Sequence, residues 1–322
     1  MTTMTTTETM KAVLIHSFGG PEVLRMEDVS RPEPGPHEVL VRVHAAGVNP
    51  VDWKIREGKL GNIPLPSIMG SDFSGEIEAL GPDVTEFRVG ESVFGSVSDG
   101  SGSYAEFALA PVSQIVEKPP GLDHVQAAGI PVPAMTAWQA LFDEAKLRRG
   151  QKVLIHAAAG GVGSFAVQFA KWKGAYVIGT ASDPNGKLVE SLGAHEFIDY
   201  HNTRFEDVVE DADVILDTIG GETQERSWKA LRQGGVLVSL VQPPAREAAS
   251  ARGARGILMR EDARRSDELS QIAKLVASGQ IKVIVETILS LKEARKAQEL
   301  SQAGHAHGKI VLAIDAESGV IL

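Results

Sequence analysis

Val153-Leu154-Ile155-His156-Ala157-Ala158-Ala159-Gly160-Gly161-Val162-Gly163, followed by an apolar helical pattern to Lys173, is the stretch on which the fold turns. The pattern predicts a buried strand, a glycine-rich turn and a helix whose open backbone N–H groups face that turn. Such a helix start holds phosphate, because unpaired donors and the positive end of the helix dipole point the same way. A second strand, Ala175 to Gly179, completes a βαβ unit of the dinucleotide-binding kind. In G-x-G-x-x-G spacing Ala158 holds the first place, Gly160 the second and Gly163 the third. The second glycine lets a pyrophosphate approach the backbone, and the third lets helix and strand pack closely. Alanine at the first place departs from the strict pattern but is small enough to keep the turn. The expected contacts are Ala159, Gly160, Gly161, Val162 and Gly163. A tight strand–helix turn without a ligand is the bland alternative, and the ordered strand, turn, helix and strand weigh against it.

The end of the second strand selects the dinucleotide. NAD sites place Asp or Glu there to hold the ribose hydroxyls. Here the strand runs Ile178-Gly179-Thr180-Ala181-Ser182 with no acid, and Asp183 starts the next turn with Pro184. Ser182 can donate to a 2′-phosphate, Lys187 can supply charge, and Tyr200 closes the following strand over the same pocket. NADPH is therefore preferred over NADH. The loops at Thr218 to Gly221 and Leu240 to Gln242 are expected to line the cofactor, since ligands lie at the carboxyl ends of such strands.

At 322 residues the chain is long enough for two domains. A net charge of −10 and the lack of a basic stripe argue against nucleic-acid binding; the locally basic Arg252 to Arg265 reads as a solvated loop and helix face. Zero cysteines exclude disulfides, thiolate–zinc sites and a cysteine nucleophile together. No signal peptide or long apolar run is legible, so a cytoplasmic location and no membrane partner are expected.

Residues 1–9 read as a disordered, threonine-rich tail. The first ~125 residues are punctuated by Gly and Pro and read as short strands at Met10 to His16, Glu38 to Ala46, Gly70 to Leu80, Ser92 to Ser96 and Ala105 to Leu109, with no helix of useful length. Asp123 can cap a helix to Ile130, and Ala134 to Leu141 is helical in pattern. Strands then alternate with helices: Lys152 to His156, Tyr176 to Gly179, His195 to Ile198, Asp213 to Asp217, Gly235 to Leu240 and Ile257 to Met259. That alternation predicts an α/β, doubly wound parallel sheet. A helix from Ser266 to Ser278 closes the block. Strand Val283 to Thr287, helix Leu291 to Gln302 with Ser290 as cap, and strand Lys309 to Ile314 either extend this sheet or return to the first domain.

With these residues in place, Met10 to Ile314 resembles the medium-chain dehydrogenase/reductase superfamily, in its zinc-free quinone oxidoreductase or zeta-crystallin-like branch. Carrying the likeness are Ala157 to Gly163, Phe18-Gly19-Gly20-Pro21-Glu22-Val23-Leu24, Ala46-Gly47-Val48-Asn49-Pro50-Val51-Asp52, Gly70-Ser71-Asp72-Phe73-Ser74-Gly75, Val89-Gly90-Glu91-Ser92-Val93-Phe94-Gly95, Pro133-Ala134-Met135-Thr136-Ala137-Trp138 and Gly308-Lys309-Ile310-Val311-Leu312. The resemblance implies a GroES-like, β-rich catalytic domain built from both chain ends (10–130 and 281–322) around an inserted Rossmann domain (131–280), with the active site in the cleft between them. It also implies a homodimer or homotetramer paired through an edge strand at Gly256 to Met259.

The zinc branch of that superfamily has a cysteine after A-G-V and a His-Glu pair in G-H-E. This chain has Asn49 and Ser71-Asp72 there, so no metal ligand set is expected. His44 reads as structural, and His305 with His307 as a surface turn. Without a Lewis acid the natural chemistry is hydride delivery from NADPH to an electron-poor acceptor, a quinone or an α,β-unsaturated carbonyl. Asn49 resembles the family's active-site Asn and is the catalytic candidate as well as a cofactor contact; an Asn–Pro turn is the competing reading. Thr136, placed by the resemblance at a helix start, is expected at the nicotinamide, and Lys309 of the closing motif among the cofactor contacts. Trp53, Trp138 and Tyr104 are weaker pocket candidates. An enoyl or alkenal reductase of lipid or polyketide metabolism is the alternative activity, and a non-catalytic NADPH-binding protein the alternative of another class.

Overall fold

The computed structural model describes residues 8–61, 63–259, 266–304 and 306–314. The start of the threonine-rich tail, His305 and the end of the Arg252 to Arg265 stretch lie outside the described residues. In chain order the elements are β1 (Thr9–Ile15), β2 (Arg25–Ser30), β3 (Glu38–Val48), α1 (Pro50–Arg56), β4 (Ser67–Ile68), β5 (Asp72–Leu80), β6 (Ser92–Ser96), β7 (Phe107–Pro111), β8 (Ile115–Glu117), α2 (His124–Ala128), α3 (Pro131–Trp138), β9 (Lys152–Ile155), α4 (Gly161–Lys173), β10 (Tyr176–Ala181), α5 (Gly186–Ser191), β11 (Glu196–Asp199), β12 (Ala212–Asp217), α6 (Gly221–Ala230), β13 (Leu231–Ser239), α7 (Arg246–Ala251), β14 (Arg255–Leu258), α8 (Ser266–Ala277), β15 (Val285–Ser290), α9 (Ala294–Ala303) and β16 (Lys309–Ala313). Two compact units result.

One unit holds the chain up to Val132, α8 and everything described from Val283. Its larger sheet has the order β15-β16-β3-β5-β6-β8, with β7 also on β3, and β1 pairs β2 and β4 in a separate three-stranded sheet. The C-terminal strands therefore return to the first domain: Ile310 to Ala313 of β16 lie antiparallel against Val48 to Ala45 of β3. Val39, Val41, Val43, Phe73, Ile77 and Val93 fill one core, the alternate residues of β3 meeting those of β5. Helix α8, which the sequence pattern attaches to the nucleotide-binding block, groups with this unit instead.

The other unit runs from Pro133 through β14 and takes back Ser278–Lys282. Its sheet is parallel throughout, in the order β11-β10-β9-β12-β13-β14. The chain winds outward from β9 in both directions, so the strand order reverses between β9 and β12, where such sheets bind ligands. One edge of this sheet is β14, Arg255–Leu258, at the place the resemblance gives to an edge strand over Gly256 to Met259.

Four local expectations change. Thr9 already belongs to β1, paired with Ser30. Strand β2 is polar and has no buried residue, so it shows no apolar alternation, while β4 and β8 are two and three residues long, too brief for a period of two to show. Helix α1 occupies seven residues directly after Asn49, and its start is built from Pro50 and Asp52 rather than from apolar periodicity. Thr136 is the sixth residue of α3, not its start, because the helix begins at Pro131.

Candidate active site

In the nucleotide-binding unit, the turn after β9 is tight. Ala157 has φ 47°, a left-handed conformation that alanine enters only at a cost, and Gly160 N donates to Ala157 O at 2.9 Å. A Cβ on Gly163 would stand 2.1 Å from that same Ala157 oxygen and 2.8 Å from Ala158 Cα, so the first turn of α4 lies directly on the backbone of the loop. Ala158 fits at the first place because Gly179 of β10 has no side chain: a Cβ there would lie 2.8 Å from the Ala158 methyl. The N–H groups of Gly161, Val162 and Gly163 begin the helix without intrahelical acceptors, directed at the turn.

Two buried networks hold this edge of the sheet. Asp217, at the end of β12, accepts from Ile219 N (3.0 Å), Gly220 N (2.8 Å), Gln224 Nε2 (2.8 Å) and Ser239 Oγ (2.8 Å). It thereby shapes the loop that carries Thr218, whose hydroxyl donates to His156 O at 3.0 Å, and joins it to the end of β13. Leu240 N adds a bond to Asp217 O. His156 lies between Ser227 Oγ (2.9 Å from Nε2) and Thr180 Oγ1 (3.1 Å from Nδ1). Ser227 spends its own hydrogen on Thr223 O, so it accepts from Nε2–H and leaves Nδ1 to accept from Thr180.

Burial holds the His156 ring down to about 4, against its ordinary 6.5. A depressed histidine contributes stability that is present above 6.5 and lost as the pH falls toward 4. At about 1.4 kcal/mol for each pH step separating those two values, the loss approaches about 3 kcal/mol at pH 4. The stability advantage of the wild type over His156→Asn, read by urea denaturation, should therefore shrink between pH 6.5 and 4. An advantage independent of pH would show that His156 is not buried in its neutral form.

Of the three residues expected at a 2′-phosphate, Ser182 and Tyr200 meet the end of β10. Tyr200 N donates to Ala181 O at 3.2 Å, which sets the half-exposed Tyr200 beside that strand end. Ser182 Oγ accepts from Asn185 Nδ2 at 2.9 Å and keeps its own hydrogen to donate. Lys187 is exposed on the first turn of α5. Trp138 packs edge-on against Phe142 (4.8 Å) and Phe169 (5.3 Å), a core aromatic cluster.

The GroES-like unit contains a second polar cluster, built around the start of α1. Asn49 is the N-cap and Asp52 the third helical residue; Asp52 Oδ2 accepts from Asn49 N at 2.8 Å, while Asp52 N returns to Asn49 O at 3.0 Å. Tyr104 OH donates to the same Oδ2 at 2.8 Å, so Tyr104 is a fully buried support of α1. The Asn49 side chain is held at both ends. Lys309 Nζ donates to its Oδ1, and also to Val48 O at 2.9 Å; its Nδ2 donates to Asp72 Oδ2 at 2.8 Å. Asp72 further accepts from Val132 N at 3.1 and 3.2 Å. The second Nδ2 hydrogen of Asn49 has no acceptor among the described residues.

Every member of this cluster is buried, and the electrostatics follow. Burial pushes the Asp52 carboxyl up to about 7, outweighing the Asn49 N–H and the Tyr104 hydroxyl, which favour its charge. Burial also holds the Lys309 ammonium below its usual range, an effect that Asp72 and Asp52 oppose. Arg56, fully buried, ties α1 to α9 through Gln298 Oε1 (2.8 Å) and Gln302 Oε1 (3.0 Å). Asp52 and Arg56 are absent from the sequence candidates; the Asn-Pro-x-Asp spacing of a helix cap is the signal for the first, and nothing local marks the second.

Two family models match the chain: an alcohol dehydrogenase GroES-like domain over residues 35–120 and a zinc-binding dehydrogenase over residues 192–312. The mouse quinone oxidoreductase is 36% identical over 325 residues, covering 94% of this chain and 97% of that protein. The quinone oxidoreductase structure from Coxiella burnetii superposes with a TM-score of 0.87 at 36% identity, over 95% of this chain and 100% of that one. That of the Escherichia coli quinone oxidoreductase complexed with NADPH does so with 0.86 at 26% identity, over 94% of this chain and 99% of that one. At the places given to zinc ligands in the zinc branch, this chain has Asn49 and Asp72 bonded to each other and a lysine ammonium on Asn49.

Proposed function

The chain belongs to the medium-chain dehydrogenase/reductase superfamily, in its quinone oxidoreductase branch, and from that premise we propose that it is an NADPH-dependent, zinc-independent reductase of quinones or α,β-unsaturated carbonyls. The observation that carries the reading is the tight glycine-rich turn Ala157–Gly163, set where the parallel sheet reverses its strand order. Bound there, NADPH supplies a hydride. Gly160 leaves the backbone open to the pyrophosphate, since the closest atom to an added Cβ is 3.3 Å away. Ala159, Gly161, Val162 and Gly163 contribute the helix-start donors. Ser182, Lys187 and Tyr200 hold the 2′-phosphate, while Thr136, Thr218 and Leu240 line the remainder of the cofactor. Asn49 orients the acceptor by donating its second Nδ2 hydrogen to the carbonyl oxygen. Lys309 and Asp72 fix the angle of that amide. With asparagine and aspartate at the zinc-ligand places and no cysteine in the chain, polarisation falls to this amide.

Quinone-class acceptors are favoured by the mouse and Coxiella relatives. NADPH oxidation against a panel of quinones, alkenals and enoyl thioesters tests the proposal. Turnover of quinones is the expected result, saturation of an enone alone makes the chain an alkenal or enoyl reductase, and tight NADPH binding without turnover sinks the catalytic reading. In the same assay Lys187→Glu should raise the NADPH KM about tenfold or more and leave that for NADH nearly unchanged. Equal losses for both cofactors would remove Lys187 from the phosphate site.

A further inference from the structure

Outside that machinery, three metal-ligating side chains meet in the GroES-like unit. His44 lies on β3, Glu76 on the adjacent β5, and His124 is the first residue of α2. One ligand atom from each lies within 4.8 Å of the others, and the two imidazole centroids are 4.5 Å apart, tilted by 42°. His44 Nε2 stands 3.9 Å from Glu76 Oε2. The β3–β5 register shifts between Val43 and Ala45, so His44 is the extra residue of a bulge, the device by which a strand re-aims a side chain.

We propose that His44, Glu76 and His124 bind one divalent transition-metal ion of the zinc class, as a clamp of α2 onto β3 and β5. Two imidazoles and one carboxylate are a donor set that zinc accepts, with water as the fourth ligand. The outer contacts already suit it. Ser74 Oγ donates to Val93 O at 3.1 Å and lies 2.8 Å from His124 Nδ1, so it accepts from Nδ1–H and leaves the lone pair on Nε2. Lys118, whose charge reaches His124, is tied to Leu122 O at 2.6 Å. Tetrahedral zinc needs ligand atoms about 3.3 Å apart, given metal–ligand bonds near 2.0–2.1 Å. The half-exposed Glu76 side chain can rotate to close that gap.

The clamp has a structural consequence. Helix α2 lies so close to β3 that a Cβ on Gly47 would stand 2.4 Å from Ala128 O. The same segment runs on to Val132, whose N–H bonds Asp72. A metal at His124 therefore secures the chain that holds Asp72, and through it Asn49.

Titration of chelator-treated full-length protein with zinc, followed by competition against a chromophoric chelator and by thermal melting, tests this. One equivalent should bind, with a rise in Tm of several degrees, and cobalt should give the visible absorption of a four-coordinate site. His44→Gln and His124→Gln should each weaken zinc at least tenfold, whereas His307→Gln, on the distant-in-sequence Glu286 pair, should not. Glu76→Gln, a change on an exposed strand position, carries the same expectation if a histidine variant fails to fold. Absence of saturable binding, or one equivalent bound equally well by the Glu76→Gln and histidine variants, overturns the proposal.

Discussion

Replacing Gly163 with alanine should destabilise the protein by about 3 kcal/mol, the upper end for overpacking, and weaken NADPH at least a hundredfold. The added Cβ lands 2.1 Å from Ala157 O, 2.8 Å from Ala158 Cα and 2.9 Å from Ala157 C. All three are backbone atoms, so no rotamer change relieves the overlap. The loop has little room to retreat, because Ala157 is already at φ 47° and Ala158 N is bonded to Thr180 O at 2.9 Å. Moving α4 instead lifts Phe165 and Phe169 out of a packed core and turns the helix-start donors off their aim. Gly160→Ala supplies the contrast: its Cβ meets only Ala157 O at 3.3 Å, and Gly160 has an ordinary extended φ of −74°. That variant should stay within about 1 kcal/mol of the wild type yet lose NADPH affinity, because the methyl group points at the pyrophosphate's place. Urea melts and fluorescence titration with NADPH separate the two. If Gly163→Ala retains wild-type stability and affinity, the close approach of helix to loop does not govern the site.

The contrast between these glycines marks what a sequence can disclose. The βαβ unit was legible because strand, turn and helix are contiguous, and each has its own period or punctuation. Even the departure at Ala158 has a local partner, Gly179, within the same unit. The polar cluster at Asn49 is different in kind. Its members come from β3, α1, β5, the stretch before β7, and β16 at the far end of the chain, so no window of sequence holds two of the side-chain bonds to Asn49. Family likeness singled out Asn49, whereas its dependence on Asp72 and Lys309 is a product of tertiary pairing. Helix α1 leaves no periodic trace in the sequence because seven residues carry too little amphipathic signal, though Asn49, Pro50 and Asp52 spell a helix start. Tyr104 stands in a stretch of glycine and serine and reads as a pocket residue, yet Gly70 leaves space for its ring and Asp52 takes its hydroxyl.

Lys309→Met should cost about 3–5 kcal/mol, the range for removing one partner from a buried charged network. Methionine keeps the length of the side chain but leaves Val48 O and Asn49 Oδ1 without their donor. The loss should also depend on pH in a defined direction. Asp52 has a raised folded pKa of about 7 against an ordinary 3.8, so the stability it contributes is present below 3.8 and is lost as the pH rises through 7. Lys309 is one of the groups that hold that value down. Without it Asp52 rises further, and the variant should be penalised more at pH 8 than at pH 5. Asp52→Asn in the same background should remove the difference, since Asn49 N and Tyr104 OH both donate to the single atom Oδ2, which an amide oxygen can replace. Kinetics then distinguish positioning from direct cofactor contact. If Lys309 acts by orienting Asn49, kcat falls at least tenfold while NADPH affinity stays within about twofold, because the phosphate-binding turn is untouched. A collapse of NADPH affinity with stability and its pH dependence unchanged would instead make Lys309 a ligand of the cofactor, and would leave the Asn49 amide to be held by Asp72 alone.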